Sequence, residues 1–329
     1  MTDRQQRVVL NGKASEWLPV TSGVPQGSVL GPTLFVIFIN DLDGVVDLVD
    51  GFISKFADDT KYGRVVRSEE DCAKMQSDIN KLLEWADTWQ MEFNTKKCKI
   101  MHFGRTNPHH CYCMGGYAPA GTVLEEVSDE KDIGVIVSDT LKPSNQCARA
   151  AKRANSILGQ MRRAFQYRDK VVWIRLYKTY VRAHLEFAVQ SWSPWYTKDI
   201  NLLEQVQKRA VDMVIGLKAK TYEGKLKELG LTTLQERRGG GDLIQVWKLV
   251  LRGSNLIRLA PEQHARLSRH TAKPLNLCRV EANKEVRKNF FIARCGDMWN
   301  NLPHVIQAEE DLVEFKKLLD WHHSIVGSF

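Results

Sequence analysis

The sequence lacks the long apolar runs that a membrane span requires. Its longest such stretch, residues 34–39, falls far short of the ~18–20 residues needed. The first residues also lack the basic-then-apolar pattern of a secretory signal. With 43% hydrophobic and 26% charged residues and no repeats, the chain is neither a disordered tail nor collagen-like. We therefore expect an intracellular protein, nuclear or cytoplasmic, that is not secreted and has no membrane partner.

A disulfide framework is also absent from the sequence pattern. The 7 cysteines are odd in number and scattered, which favours reduced thiols over a disulfide framework. The run His109–Cys113 concentrates possible zinc ligands, but ligands that are adjacent in sequence cannot all reach one tetrahedral ion. An exposed loop is the preferred interpretation of that run. Several tryptophans could stack on bases, although most occupy apolar helical positions, which favours core packing.

Charge is unevenly distributed along the 329 residues, whose net charge is +8. Residues 1–139 contain 14 basic and 21 acidic side chains, whereas residues 140–329 contain 33 and 18. This division suggests two domains, the second facing a polyanion. A solvated helical surface is the alternative explanation of the basic half.

Hairpins are predicted for the first part and helices for the second. Asn11-Gly12 is a hairpin turn signal, and residues 34–39 predict a buried helix because they are apolar on all sides. Ser68–Asp71 is a capping box that opens an amphipathic helix ending near Trp89. Further strands are predicted over residues 7–10, 17–21, 52–57, 60–66, 99–103 and 132–137. Helices are predicted over about 144–166, 169–190, 198–215, 240–252, 284–298 and 309–323.

These patterns predict an α+β fold in which two elements could carry chemistry. Adjacent aspartates, Asp58 and Asp59, stand between two predicted strands, where a turn is the simplest explanation. A divalent cation would relieve their mutual repulsion, and Mg²⁺ is typically held by one or two carboxylates with substrate phosphates. The loop Pro25–Ser28 is a second candidate, because Gly27 permits close backbone approach and Gln26 can hydrogen-bond a base.

Three segments, Ser22–Pro32, Phe56–Asp59 and Trp89–Cys98, together closely resemble the reverse transcriptases of non-LTR (LINE-type) retrotransposons. The chicken-repeat and jockey branch is the most similar. Five later segments extend the resemblance to nearly the whole chain: Asp132–Val135, Tyr167–Lys170, Leu185–Phe187, Trp192–Pro194 and Trp299–Pro303. The resemblance implies an RNA-directed DNA polymerase that uses Mg²⁺, an RNA template, a DNA primer and dNTPs, with no small-molecule cofactor.

The resemblance also implies roles for individual residues. Asp58 and Asp59 are similar to the palm aspartates that bind catalytic Mg²⁺. Lys97 is similar to a lysine near the leaving pyrophosphate, with a solvated surface amine as the alternative. Ile133-Gly134 resembles the primer-grip hairpin. The loop that lines the incoming nucleotide and template corresponds to Pro25, Gln26, Gly27 and Ser28.

The resemblance divides the chain into a partial palm (1–139) and a helical thumb with a C-terminal region (140–329). A thumb grips duplex phosphates without reading sequence. The side chains expected to do so are Lys152, Arg153, Arg162, Arg163, Arg168 and Lys170. We expect such binding to weaken steeply as salt is added.

One departure from the family concerns the first catalytic aspartate, which lies in a pattern of the kind Asp-x-x-Lys-Ala-Phe-Asp upstream of the Pro-Gln-Gly loop. That pattern does not occur in this sequence, where Asp3 is the sole aspartate before the loop and lies too close to it. We therefore expect an N-terminally truncated fragment without endonuclease or fingers, with an apolar palm surface exposed, and inactive on its own. A non-catalytic nucleic-acid-binding remnant and a relic without a selected role are the alternatives.

Overall fold

The computed structural model describes residues 4–21, 23–24, 27–115, 121–254, 259 and 275–326. The chain divides into two compact units, Met1–Val127 and Ser128–Phe329. Helices predominate in the second unit and short hairpins in the first, which confirms the α+β prediction. The functional division into palm and thumb at residue 139 stays a prediction.

The first unit contains ten short strands and two main helices among its described residues. The strands are β1 (Gln5–Gln6), β2 (Val9–Leu10), β3 (Lys13–Ala14), β4 (Leu18–Pro19), β5 (Gly51–Phe56), β6 (Asp59–Arg64), β7 (Lys99–Ile100), β8 (Cys113–Met114), β9 (Thr122–Val123) and β10 (Glu125–Glu126). They pair in twos as β1–β4, β2–β3, β5–β6, β8–β9 and β7–β10, and the last pair alone is parallel. The predicted Asn11-Gly12 turn joins β2 to β3, a return strand that was not predicted, and the strand predicted over 17–21 forms as β4 and pairs with β1.

Helix α1 (Gly31–Phe38) contradicts the prediction of a buried helix. Gly31 is its one buried residue, whereas Val36 and Ile37 are 59% and 67% exposed. A helix that is hydrophobic on all sides is buried only if other segments cover every side. Among the described residues, other segments cover only one side of α1. Phe52 and Phe56 of β5 are also exposed, and the expected apolar palm surface stays a prediction.

Helix α2 (Glu69–Thr88) forms as its sequence predicts. The Ser68 hydroxyl accepts from the Asp71 amide, and the Asp71 carboxylate accepts from the Ser68 amide, which completes the capping box. Its apolar face packs in two clusters. Leu82, Trp85 and Ala86 contact the segment after α1, and Met75 and Ile79 contact the β8–β9 region.

The second unit begins with the hairpin β11 (Asp129–Asp132) and β12 (Val135–Ser138), followed by helices. These are α3 (Ser144–Ala164), α4 (Lys170–Leu176), α5 (Arg182–Glu186), α6 (Val189–Trp192), α7 (Thr197–Asp212), α8 (Tyr222–Leu229), α9 (Leu234–Leu251), α10 (Glu285–Lys288), α11 (Phe291–Asn300), α12 (His304–Gln307) and α13 (Leu312–Val326). A π-helical stretch, Tyr177–Val181, joins α4 to α5.

Several predicted boundaries in this unit are wrong for local reasons. The helix predicted over 169–190 stops at Glu186 because Phe187 is extended, and Ala188 then adopts a left-handed conformation with φ 49°. Helix α9 starts ahead of residue 240 because Thr233 and Glu236 form a second capping box. Helix α8 was not predicted at all.

Most of the tryptophans at apolar helical positions, which were considered as possible base-stacking residues, are core residues as expected. Trp173, Trp192, Trp247 and Trp299 are buried, and the Trp173 indole donates to the Ala210 carbonyl at 2.8 Å. Trp321 is 60% exposed. Among the described helices, none combines the length and hydropathy that a membrane crossing needs.

Candidate active site and nucleic-acid interface

The two adjacent aspartates lie at the tip of the β5–β6 hairpin. The register pairs Phe56 with Asp59, so the turn consists of Ala57 and Asp58, and Asp59 is the first residue of the return strand. The sequence predicted Asp58-Asp59 as the turn, one residue too far along. Ala57 takes a positive φ of 53°, which a two-residue hairpin turn of the primed type requires. Both carboxylates are exposed, so a ligand can reach them.

A buried polar network fastens this hairpin to α2. Asp78 is 1% exposed and accepts a hydrogen bond from the Tyr62 hydroxyl at 2.6 Å and one from Arg64 at 3.0 Å, both on β6. Lys81 donates to the other carboxylate oxygen at 3.0 Å. Burial raises the pKa of Asp78, but the hydrogen bonds from Tyr62, Lys81 and Arg64 outweigh burial and hold it below its usual value.

The opposite strand has its own anchor. The ammonium group of Lys55 donates to the carbonyls of Ile39 and Asn40 at 2.8 and 3.1 Å and pairs with Asp43 at 2.8 Å. Lys55 pairs with Thr60 across the hairpin, one step from the tip. The backbone that carries the two aspartates is therefore held from both strands.

The two carboxylates at the hairpin tip are suitable ligands for a hard cation, but two protein ligands are fewer than a complete site needs. Oxygen ligands are those that Mg²⁺ prefers, and exposure leaves room for water and substrate phosphates. Among the described residues, no third histidine, cysteine or carboxylate joins Asp58 and Asp59 in one cluster. The donor chemistry suits Mg²⁺, and its binding by this pair stays a prediction.

The described part of the loop Pro25–Ser28 leads into α1. Gly27 has a positive φ of 76°, and the Ser28 hydroxyl accepts from the Gly31 amide at 3.0 Å. This bond fixes the first turn of the helix. Pro25 and Gln26 lie outside the described residues, so the proposed template and nucleotide contacts of the loop stay a prediction.

Lys97 is exposed in a turn in which its amide donates to the Asn94 carbonyl at 2.9 Å. Neither an ion pair nor a hydrogen bond links its ammonium group to Asp58, Asp59 or any other described residue. The amine is thus available to a ligand, and its role beside pyrophosphate stays a prediction.

Ile133 and Gly134 form the turn of the β11–β12 hairpin, although a strand was predicted over 132–137. Both have positive φ, 44° and 89°, and Ile133 is exposed. Gly134 lies against Phe187, whose ring would be 2.9 Å from a Cβ at that position. The hairpin fits the expected primer grip in form, and its contact with primer stays a prediction.

Gly134→Ala should lower the free energy of unfolding of the second unit by about 1–3 kcal/mol, because it combines positive φ with a clash against Phe187. Gly159→Ala is the matched control: Gly159 lies in α3 with open space around it, so alanine should stabilise by about 0.4–1 kcal/mol. Urea denaturation measures both. Equal effects of the two substitutions would contradict the packing argument.

The predicted basic residues lie on α3, on the loop after it and at the first residue of α4. Lys152, Arg153, Arg162 and Arg163 are exposed, and Lys152 and Arg163 face the same way because they are about three helical turns apart. None of the four pairs with a described carboxylate. Lys170 is less available, since Glu228 lies 4.0 Å away.

An open cleft of about 370 Å³ gathers Arg162, Arg168 and Lys218. The Arg168 guanidinium lies over the Trp173 ring at 5.8 Å, and its Nε has no hydrogen-bond partner among the described residues. The cleft's one carboxylate, on Asp212, is neutralised by Lys225 at 2.6 Å. Sequence reasoning missed Lys218, which the end of α7 brings beside the arginines.

An aspartate pair at a hairpin tip and a basic helical surface define a candidate metal-dependent protein of nucleic-acid metabolism. Residues 3–159 match the family model for reverse transcriptase (RNA-dependent DNA polymerase). This segment, just under half of the chain, is thus similar to reverse transcriptase domains, and the similarity fits a non-LTR, jockey-like type. Members of the family generally use a divalent metal and act on nucleic-acid templates with nucleotide substrates.

Curated relatives agree with this assignment. The chain is 26% identical over 286 residues to the RNA-directed DNA polymerase from mobile element jockey of Drosophila funebris, covering 81% of this chain and 28% of the relative. The corresponding Drosophila melanogaster protein is 23% identical over 227 residues, which is 66% of this chain and 24% of the relative. A probable RNA-directed DNA polymerase from transposon X-element of the same species is 24% identical over 208 residues, 60% and 22% of the two chains.

The chain spans about a quarter of the length of the jockey relatives it matches. No solved structure matches it.

Proposed function

We propose that this chain is the palm and thumb part of an RNA-directed DNA polymerase. Asp58 and Asp59 bind Mg²⁺, and the basic surface of α3 and the adjoining cleft bind the template–primer duplex. The observation that carries the proposal is the exposed aspartate pair at an anchored hairpin tip inside the reverse transcriptase match. RNA template, DNA primer and dNTPs are the proposed substrates.

The residues of the chain have separable roles in this proposal. Mg²⁺, when bound, assists attack of the primer 3′-hydroxyl on the α-phosphate of the dNTP. Asp58 and Asp59 hold that ion, while Tyr62, Arg64 and Asp78 fix the hairpin on which they stand. Lys97 offsets charge on the leaving pyrophosphate.

The loop Pro25–Ser28 lines the template and nucleotide, and Ile133-Gly134 positions the primer end. Losing a metal ligand from such a site costs several kcal/mol of transition-state stabilisation, so we expect the two-carboxylate pair alone to bind Mg²⁺ without supporting efficient extension. A non-catalytic nucleic-acid-binding role would use the basic surface alone, and the relatives' polymerase names do not favour it.

Iron-directed cleavage tests the metal pair. Fe²⁺ replaces Mg²⁺ at carboxylate sites, and with ascorbate and peroxide it cuts the nearby backbone. We expect cleavage of the full chain near residues 57–60 that Mg²⁺ suppresses, and at least a tenfold loss of that cleavage in Asp58→Asn.

Asp50→Asn is the matched control, because Asp50 is an exposed aspartate beside the other end of the same hairpin. Cleavage near residues 57–60 that Asp58→Asn leaves unchanged would contradict the assignment. Primer extension in Mg²⁺ is the companion assay. Any extension by the parent chain that persists in Asp58→Ala would equally count against the proposed role.

A further inference from the structure

Three metal-ligating side chains that are not among the predicted site residues converge in the first unit. They are His102, His109 and Glu126, and one ligand atom from each lies within 4.8 Å of the other two. His102 is buried at 8% exposure, whereas His109 and Glu126 are exposed. This is the one group of three or more such donors found among the described residues.

The backbone brings these donors together from separate segments. The parallel pair β7–β10 aligns Glu126 with Ile100, so His102, two residues beyond Ile100, follows directly along the neighbouring strand. The loop between them turns back and places the His109 ring 4.8 Å from that of His102. The side chain of Glu126 accepts from or donates to Nδ1 of His109 at 2.7 Å, depending on where the proton resides.

An isolated surface ion pair between His109 and Glu126 would be the simplest explanation of that contact. Two observations go beyond it. The buried ring of His102 lies beside this pair, and its centroid is 6.1 Å from that of the Tyr112 ring. The neighbouring cation Lys99 pairs with Glu125, which leaves His109 as the partner of Glu126 in the described part of the chain.

We propose that His102, His109 and Glu126 form a zinc site. Two imidazoles and one carboxylate are a known donor set for Zn²⁺, with water as the fourth ligand. Zinc–ligand bonds of about 2.0–2.2 Å place tetrahedral donors roughly 3.3–3.5 Å apart. Donor separations of up to 4.8 Å would therefore have to shorten by up to about 1.5 Å, while His109 and Glu126, now 2.7 Å apart, would have to separate slightly. Zn²⁺ would occupy the position of the hydrogen between His109 and Glu126. A neutral His109 ring would then carry its one proton on Nε2, whereas a doubly protonated ring would release one proton to solvent.

The site would tie the loop 103–109 to the β7–β10 strands. The adjacent residues of the His109–Cys113 run do not take part. The His110 ring packs against Tyr112 at 5.1 Å, and Cys111 is exposed outside the cluster. Sequence reasoning considered that run alone and missed His102 and Glu126, because strand pairing, not sequence spacing, brings them to His109.

Metal titration of the full chain tests this proposal. The purified protein is stripped with chelator and titrated with Zn²⁺ against a chromophoric competitor. Co²⁺ is used in parallel for its visible absorption in a low-coordination nitrogen–oxygen site. We expect the variants His109→Ala and Glu126→Gln, both at exposed positions, each to weaken Zn²⁺ binding at least tenfold and to reduce the Co²⁺ absorption.

His110→Ala is the matched control, since it removes a neighbouring histidine outside the cluster, and we expect its affinity to stay within twofold of the parent. Circular dichroism establishes that each variant is folded. Asp58→Asn should leave Zn²⁺ binding unchanged, which separates this site from the proposed Mg²⁺ pair. The proposal is overturned if the parent fails to compete for Zn²⁺, or if His110→Ala loses affinity while His109→Ala retains it.

Discussion

An RNA–DNA duplex should bind this chain about 10³-fold more weakly at 200 mM salt than at 50 mM. Each basic side chain that neutralises a phosphate releases a condensed counterion, and six to ten such contacts lower affinity by roughly 10³–10⁵ over that range. The surface of α3 and the cleft beside it supply six such side chains without Lys170, which has Glu228 nearby: Lys152, Arg153, Arg162, Arg163, Arg168 and Lys218. Fluorescence anisotropy of a labelled duplex at several salt concentrations measures the slope.

The double substitution Arg162→Ala and Arg163→Ala should reduce that slope by about two and weaken binding uniformly across duplex sequences. Lys316→Ala is the control, because Lys316 is equally exposed but lies on α13. A slope near zero, or equal losses in the control and the double variant, would show that the duplex binds elsewhere.

The elements that were predicted correctly depend on short-range chemistry. The α2 capping box uses Ser68 and Asp71, and the β2–β3 turn uses Asn11-Gly12, so each signal is complete within four residues. Helix α8 was missed although comparable signals exist: the Thr221 hydroxyl caps its start, and Gly230 ends it in a left-handed conformation. The exposure of the α1 side chains could not be predicted from the sequence, because it depends on which distant segments cover the helix.

The candidate sites divide in the same way. The aspartate pair could be found from sequence because its two carboxylates are adjacent in the chain. The contact between Gly134 and Phe187, the position of Lys218 in the cleft and the approach of Glu126 to His102 all join distant positions. Asp78 shows the limit most clearly, since a charge within an amphipathic helix would be assigned to solvent, yet it is almost fully buried.

Replacing Asp78 should destabilise the first unit more than any other single change of a polar residue considered above. Asp78→Ala leaves the Arg64 side chain, 4% exposed, without its buried partner, and it removes the acceptor of the Tyr62 hydroxyl. Removing one member of a buried pair costs about 3–5 kcal/mol, because the remaining charge stays desolvated. Asp47 still contacts Arg64 at 3.2 Å but is half-exposed, so it compensates in part.

Hydrogen exchange over residues 51–88, with urea denaturation, measures the loss. Asp87→Ala is the matched control on the same helix, and we expect its effect to stay within about 0.5 kcal/mol because Asp87 is exposed. Comparable protection in the Asp78 and Asp87 variants would contradict the anchoring role of the network.

The pH dependence of stability supplies a second signature of Asp78. Its pKa is lower in the folded chain than its usual value near 3.8, so ionised Asp78 stabilises the fold above that value. This contribution disappears as the pH falls from about 4 through the lowered folded pKa, because the folded state must then take up the proton. Asp78→Asn should therefore flatten the acid limb of the stability curve. It should also reduce Fe²⁺ cleavage at the hairpin tip, because Asp58 and Asp59 would remain but on a hairpin that has lost its anchor to α2.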